Sequence, residues 1–320
     1  MNKSSRTIFR RILVTGATGF LGHHILPRLQ AGFEAEIIAV GRKDYDLLQP
    51  GVPEKMMRSI RPDCVLHLAA KSGGIMDNRL KPADYFYENI VINTHVFEAA
   101  FRAGVKKLAA FMGGCSYPAG AKSPINEEQM WDGFPQPESA GYSCAKKMLL
   151  VQSWAYRRQH GFNSIVLIPG NVYGEWDNFN LGEAHAIPAL IRKCVEAKEQ
   201  NLPFIEAFGS GRPARDFVYA GDVAAVIPWF IAHYGSSDPV NISTGRRTTI
   251  RELAETVKGA AAYPGEIRWD ASQPDGQMEK IFDPSRLRGL GLDCPTPLAE
   301  GVRKTVAWFL ANRSSGKVRL

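Results

Sequence analysis

Ile12-Leu-Val-Thr-Gly16-Ala-Thr-Gly19-Phe-Leu-Gly22 decides how this chain is read. A short strand-forming run enters glycines spaced three apart, and a helical stretch over residues 20–29 follows. Glycines permit a tight turn and close backbone approach, while the helix N-terminus offers free N–H groups to a pyrophosphate. The motif gains its meaning from the strand before it, the helix behind it and a second strand at the right distance. That second strand is expected over residues 36–40 and ends in Gly41-Arg42-Lys43. An acidic residue there would accept a ribose 2′-hydroxyl. Two cations instead favour a 2′-phosphate, so the expected cofactor is NADP. The expected contacts from this stretch are Gly16, Thr18, Gly19, Phe20, Leu21, Gly22, Arg42 and Lys43.

Working outward, strand-like and helix-like segments alternate through the first half. Further strands are expected over residues 64–68, 107–112 and 164–168, and helices over 53–60, 83–103 and 142–160. Such alternation predicts an α/β protein: a Rossmann-type doubly wound parallel sheet with a smaller C-terminal substrate-binding lobe. A dinucleotide-binding domain is expected over residues 1–169. Residues 170–320 would form mainly the substrate lobe, with segments near 221–243 returning to the large domain. Residues 171–182 and 208–216 are rich in Gly, Asn, Pro and aromatics and read as binding loops. Helices are expected over 250–260 and 297–311, and a frayed tail over 314–320.

A chain of 320 residues can bury a large core. It contains no apolar run of about eighteen residues, which argues against a membrane span, and no signal-peptide core follows the basic start. A cytoplasmic protein is expected. The five cysteines are odd in number and lack a CxxC pair, which argues against disulfides or a metal site. The net charge of +7 suits an anionic substrate and cofactor. Its Lys and Arg residues are scattered without a dense patch, so nucleic acid is not implied.

Tyr142 and Lys146, in Gly141-Tyr-Ser-Cys-Ala-Lys146, stand four apart on an expected helix. Alone such a pair is commonplace. Beside a dinucleotide it can move a proton to or from an alcohol or sugar oxygen.

Gly16–Gly22, His67-Leu-Ala-Ala70 and Tyr142-x-x-x-Lys146 together resemble the extended short-chain dehydrogenase/reductase family of nucleotide-sugar enzymes. More specific stretches are Ala69-Ala-Lys-Ser-Gly-Gly-Ile75, Cys115-Ser-Tyr-Pro118, Asp177-Asn-Phe and His185-Ala-Ile-Pro-Ala-Leu190. With Gly209-Ser-Gly-Arg-Pro-Ala-Arg215-Asp-Phe217 and Pro274-Asp-Gly276…Lys280, they resemble the branch that 3,5-epimerises and 4-reduces GDP-4-keto-6-deoxy-mannose. The resemblance implies Cys115 and His185 as base and acid beside a 4-ketone, and Tyr142 as proton donor to O4. It implies Lys146 as a ribose holder that lowers the tyrosine pKa. It adds Ala69, Ala70, Lys146 and His185 to the cofactor contacts. Asn171, Lys193, Arg215 and Lys280 are implied as contacts to a GDP-sugar. A homodimer formed through the helices over 83–103 and 142–160 is implied as well.

One departure matters. The family carries a serine where Gly113 stands, and its hydroxyl donates to the 4-keto oxygen. The reading leaves open a surrogate hydroxyl such as Ser116, or extra room for a bulkier sugar near C4. It also leaves open an epimerase without efficient reduction. An NAD-recycling nucleotide-sugar 4-epimerase or 4,6-dehydratase and a non-catalytic cofactor-binding protein are the other open readings.

Overall fold

In the computed structural model, which describes residues 9–272 and 275–320, the opening stretch folds as strand, turn and helix. Residues 1–8 of the basic start, and Pro274, lie outside the described residues. The order begins β1 (Arg11–Thr15), α1 (Phe20–Gly32), β2 (Glu36–Val40), α2 (Val52–Ile60) and β3 (Cys64–His67). Next come α3 (Ile75–Leu80), α4 (Pro82–Arg102), β4 (Lys107–Phe111), α5 (Ala140–His160) and β5 (Ser164–Pro169). The chain continues through β6 (Asn171–Tyr173), α6 (Ala186–Glu199), β7 (Phe204–Phe208), β8 (Ala214–Arg215), β9 (Phe217–Tyr219) and α7 (Ala220–His233). It ends with β10 (Val240–Ile242), β11 (Thr248–Thr249), α8 (Ile250–Ala261), β12 (Glu266–Asp270), β13 (Glu279–Lys280), α9 (Ser285–Gly289) and α10 (Leu298–Asn312).

A six-stranded parallel sheet carries the order β10-β5-β4-β3-β1-β2. Its strands read as continuous apolar runs because helices cover both faces; Leu13, Val65, Leu108 and Val166 are fully buried. The chain reverses its direction of travel between β1 and β3, the switch point at whose strand ends sheets of this kind form a ligand crevice. Leu68 N–H donates to the Thr15 carbonyl at 3.1 Å across that point. Strand β10 lies beside β5, and α7 packs on α1 through Ile25, Leu29, Val223 and Ile227.

Lys107 heads β4 yet is buried, a placement that apolar patterning does not suggest. Its ammonium donates to the carbonyls of Phe230, Ile231 and Tyr234 at 2.6, 2.8 and 2.6 Å. A cation thereby closes the carbonyl end of α7.

The smaller lobe carries three short sheets, ordered β11-β8-β13, β12-β7 and β6-β9. Helices α6, α8 and α10 share its core through Ile191, Leu253, Val257, Val302 and Phe309. Helix α8 starts on a capping box between Thr249 and Glu252. The last residues are not frayed as the sequence suggested. Gly316 turns the chain at φ +73°, Val318 is buried, and Phe179 N–H donates to the Arg319 carbonyl at 2.9 Å.

Candidate active site

The glycine loop is shaped for a ligand that must come close to backbone. Gly16 has φ +68°, and a Cβ there would lie 2.6 Å from Ala69 N, so the ends of β1 and β3 close only around glycine. A Cβ at Gly22 would lie 2.1 Å from the Ala17 carbonyl oxygen, which packs the first turn of α1 onto the loop. No side chain caps the N-terminus of α1, and its first turn holds no acid. Free N–H groups and the positive end of the helix dipole therefore face the crevice. Thr18 sits against Gly41, where a Cβ would lie 2.7 Å from Thr18 Oγ1. Leu21 packs on the core, and Phe20 meets His24 edge-on. Ala69 and Ala70 are half-buried at the mouth of the crevice. Arg42 and Lys43 are exposed beyond β2, with Arg42 3.7 Å from Asp46, an exposed pair of little strength. These features fit a dinucleotide with an added phosphate.

Beneath the loop runs a buried polar chain. Thr15 Oγ1 lies 2.8 Å from His67 Nδ1, and His67 Nε2 lies 3.2 Å from Asn93 Oδ1. Since Asn93 Oδ1 accepts, Nε2 carries the proton and Nδ1 accepts from Thr15. Burial, and then the charge of Lys146, pushes the imidazole down to about 3, so it stays neutral. The family motif marked His67, but Asn93 was not visible as its partner in the sequence.

Tyr142 and Lys146 face the same crevice from the first turns of α5. Lys146 is buried, and burial pushes its ammonium down to about 8. Burial raises the Tyr142 phenol, and negative charge at Cys115 and Tyr85 raises it further. Desolvation disfavours the phenolate, and Tyr142 holds its proton at neutral pH.

The loop after β4 brings Cys115 to this pair, and its neighbours are pinned. Tyr117 is buried and donates to Asn241 Oδ1 at 2.7 Å. Ser116 is buried and donates to the Ser143 carbonyl at 3.0 Å, so its hydroxyl is committed to α5 and does not replace the missing one. A Cβ at Gly113 would lie 3.1 Å from Cys115 Sγ and 3.2 Å from Tyr142 Cε1. The expected extra room for a bulkier sugar is thus not a void; thiol and ring close around the glycine.

His185 is the exposed residue before α6. Its loop is held to the Lys71–Ile75 segment by Gly74, whose N–H donates to the Glu183 carbonyl at 2.8 Å. A Cβ at Gly74 would lie 2.8 Å from that oxygen, which explains the Gly-Gly of the motif. Asp177 is buried with Oδ2 unpartnered among the described residues; burial raises its carboxyl, and the neighbouring His185 works against that rise. Sequence reasoning quoted Asp177 only as part of a motif; the fold brings it near His185.

Arg215 and Lys280 are register neighbours on β8 and β13. Burial lowers both pKa values, and a thiolate at Cys115 would oppose that lowering at Lys280. Asn171 lies close by, donating to the Asp216 carbonyl at 2.8 Å. Lys193 stands further out on α6. Its ammonium donates to the Glu206 carbonyl at 2.9 Å and lies 5.1 Å from the ring centroid of the exposed Phe208. The other cysteines divide by burial: Cys64, Cys194 and Cys294 are buried and free, with burial pushing the first two thiols up to about 12. Cys144, like Cys115, is free and half-buried.

Residues 12–243 match the NAD dependent epimerase/dehydratase family. The GDP-L-fucose synthase of Sinorhizobium fredii (strain NBRC 101917 / NGR234) is 37% identical over 303 residues, covering 95% of this chain and 96% of that protein. The crystal structure of a GDP-L-fucose synthetase from Naegleria fowleri bound to NADP aligns with a TM-score of 0.90 at 29% identity, over 97% of this chain and 95% of that one. That of a GDP-6-OMe-4-keto-L-xylo-heptose reductase from C. jejuni aligns with a TM-score of 0.88 at 26% identity, over 97% and 99% of the two chains. The glycine crevice, the Tyr142–Lys146 pair and these likenesses agree: the chain belongs to the NAD dependent epimerase/dehydratase family.

Proposed function

We propose that this protein is an NADP-dependent epimerase/reductase of a nucleotide-linked 4-keto-sugar, with GDP-4-keto-6-deoxy-mannose the substrate that fits best. The observation that carries the reading is the grouping of side chains around Gly113. A Cβ there would meet both Cys115 Sγ, at 3.1 Å, and Tyr142 Cε1, at 3.2 Å, and the buried cations Lys146 and Lys280 stand on the same side of the fold. Such a site suits a substrate that develops negative charge on oxygen.

A 4-ketone acidifies the protons at C3 and C5. Cys115 removes one as base, and His185 returns one as acid to invert the centre. Tyr142, protonated at neutral pH, holds the enolate oxygen and then gives its proton to O4. NADPH, when bound at the glycine loop, supplies the hydride to C4. Lys146 holds the nicotinamide ribose. Of these adjacent cations, Arg215 suits the diphosphate and Lys280 the sugar beside it. Lys193 against Phe208 suits the outer nucleotide. The relatives' GDP-sugar names and the NADP-bound neighbour support the nucleotide and the cofactor. The C-terminal lobe serves as the substrate-binding half. Two copies pair through α4 and α5, whose exposed Tyr87 and Trp154 would be covered. No described helix is long and apolar enough to cross a membrane.

Gly113 favours a second reading, an epimerase with little reduction, because the oxyanion donor is missing. Supplying NADPH with GDP-4-keto-6-deoxy-mannose tests the choice. Stoichiometric NADPH oxidation with a reduced GDP-sugar product is expected. Oxidation with only a seven-carbon 4-keto-sugar would move the substrate assignment, and none with either would remove the reductase.

A further inference from the structure

The resemblance implies a hydroxyl where Gly113 stands, and the side chains around that glycine differ in whether they are free to donate. Nearby donors are already committed. Ser116 donates to the Ser143 carbonyl at 3.0 Å, and Asn171 to the Asp216 carbonyl at 2.8 Å. Tyr85 donates to Asp77 at 2.6 Å, and Lys71 pairs with Glu88 at 2.5 Å. Lys280 is different. It is buried, only 7% exposed, yet no hydrogen bond or ion pair to its ammonium is found among the described residues. The buried polar atoms left without a partner do not include this ammonium, so it reaches the solvent side and is open to an oxygen supplied by a ligand.

Its direction is fixed by the chain. Lys280 O accepts from Asp216 N–H at 3.2 Å, and Ile281 O accepts from Ile125 N–H at 2.7 Å, which holds this segment extended. Residues two apart on an extended chain share a face. Phe282 lies against the backbone of Gly114, where a Cβ would be 2.4 Å from its Cζ. Lys280 therefore points toward the same Gly113–Cys115 loop, between Cys115 and Arg215.

We propose that Lys280 is a catalytic residue that takes over the task of the absent hydroxyl, donating a charge-assisted hydrogen bond to the sugar's carbonyl oxygen. Tyr142 remains the group that transfers a proton; Lys280 keeps its own and stabilises the negative charge on the oxygen. This inference rests on the 4-keto-sugar reading above. It separates Lys280 from Arg215, which keeps the phosphate contact.

The test uses K280M, K280R and R215M. Methionine keeps the length of the apolar stem and removes only the charged end, so K280M should fold. GDP binding by calorimetry should be within twofold of wild type for K280M and weakened for R215M. With GDP-4-keto-6-deoxy-mannose, kcat of K280M should fall on the order of a hundredfold with little change in KM. K280R should retain most of the rate. Loss of GDP affinity in K280M, equal to that in R215M, would overturn the proposal even if the sugar assignment were wrong. So would an unchanged kcat, or a K280R rate as low as that of K280M. A wild type that binds GDP but turns over no 4-keto-sugar would instead sink the activity reading and this role with it.

Discussion

Phe282 occupies the space a side chain at Gly114 would need: a Cβ on that glycine would lie 2.4 Å from Phe282 Cζ. The ring is 1% exposed and also lies over Gly170, so it has little freedom to withdraw. Gly114→Ser should therefore lower stability by about 1–3 kcal/mol, the usual cost of overpacking. Urea unfolding would measure it. Phe282→Leu in the same chain should recover part of the loss, and an unchanged midpoint for the single variant would contradict the steric account.

Cys115 and His185 are assigned the proton chemistry, not the hydride step. Cys115→Ala or His185→Asn should slow solvent-deuterium uptake at the sugar's C3 and C5 by about a hundredfold or more. NADPH affinity, read by fluorescence, should stay near wild type for Cys115→Ala. Exchange at the wild-type rate in both variants would assign the base and acid elsewhere.

Arg42 and Lys43 stand exposed where β2 ends. Replacing both by alanine should reduce kcat/KM for NADPH about tenfold or more, through loss of charge-assisted contacts to a 2′-phosphate. The value for NADH should hardly change. Equal losses for both cofactors would mean that these cations only support the local fold.

Burial sets the pH dependence. Lys146 is pushed down to about 8, below the ordinary lysine value, because desolvation disfavours its charged form. If the ammonium is the working form, reduction should hold below that pH and fall as pH rises through it. Lys146→Arg keeps its charge and should move the alkaline fall upward. A wild-type kcat profile flat from pH 7 to about 9.5 would remove the requirement for a charged Lys146.

Much of the frame was legible. The apolar runs at β1 and β3, the glycines between β1 and α1, and Tyr142 and Lys146 on one helix are local patterns with local physical causes. The family motifs brought in Cys115 and His185. What stayed hidden depended on contacts far apart in sequence. Lys107 caps the carbonyl end of α7 through residues 230–234, and nothing beside it in the chain announces that partner. Asn93 completes a buried chain to His67, and Asp177 lies by His185, only because α4 and the loop after β6 fold there. Gly113 was visible as a departure, but whether it left a hole depended on how Cys115 and Tyr142 closed on it.

The central claim, proton exchange beside a ketone followed by reduction, is tested most directly in deuterated water. Purified protein is mixed with GDP-4-keto-6-deoxy-mannose and one equivalent of NADPH, and the product is examined by NMR and mass spectrometry. The account predicts deuterium at C3 and C5, hydrogen from NADPH at C4, and one NADPH oxidised per product formed. Deuterium at C3 and C5 without NADPH oxidation, or reduction without any deuterium, would contradict it.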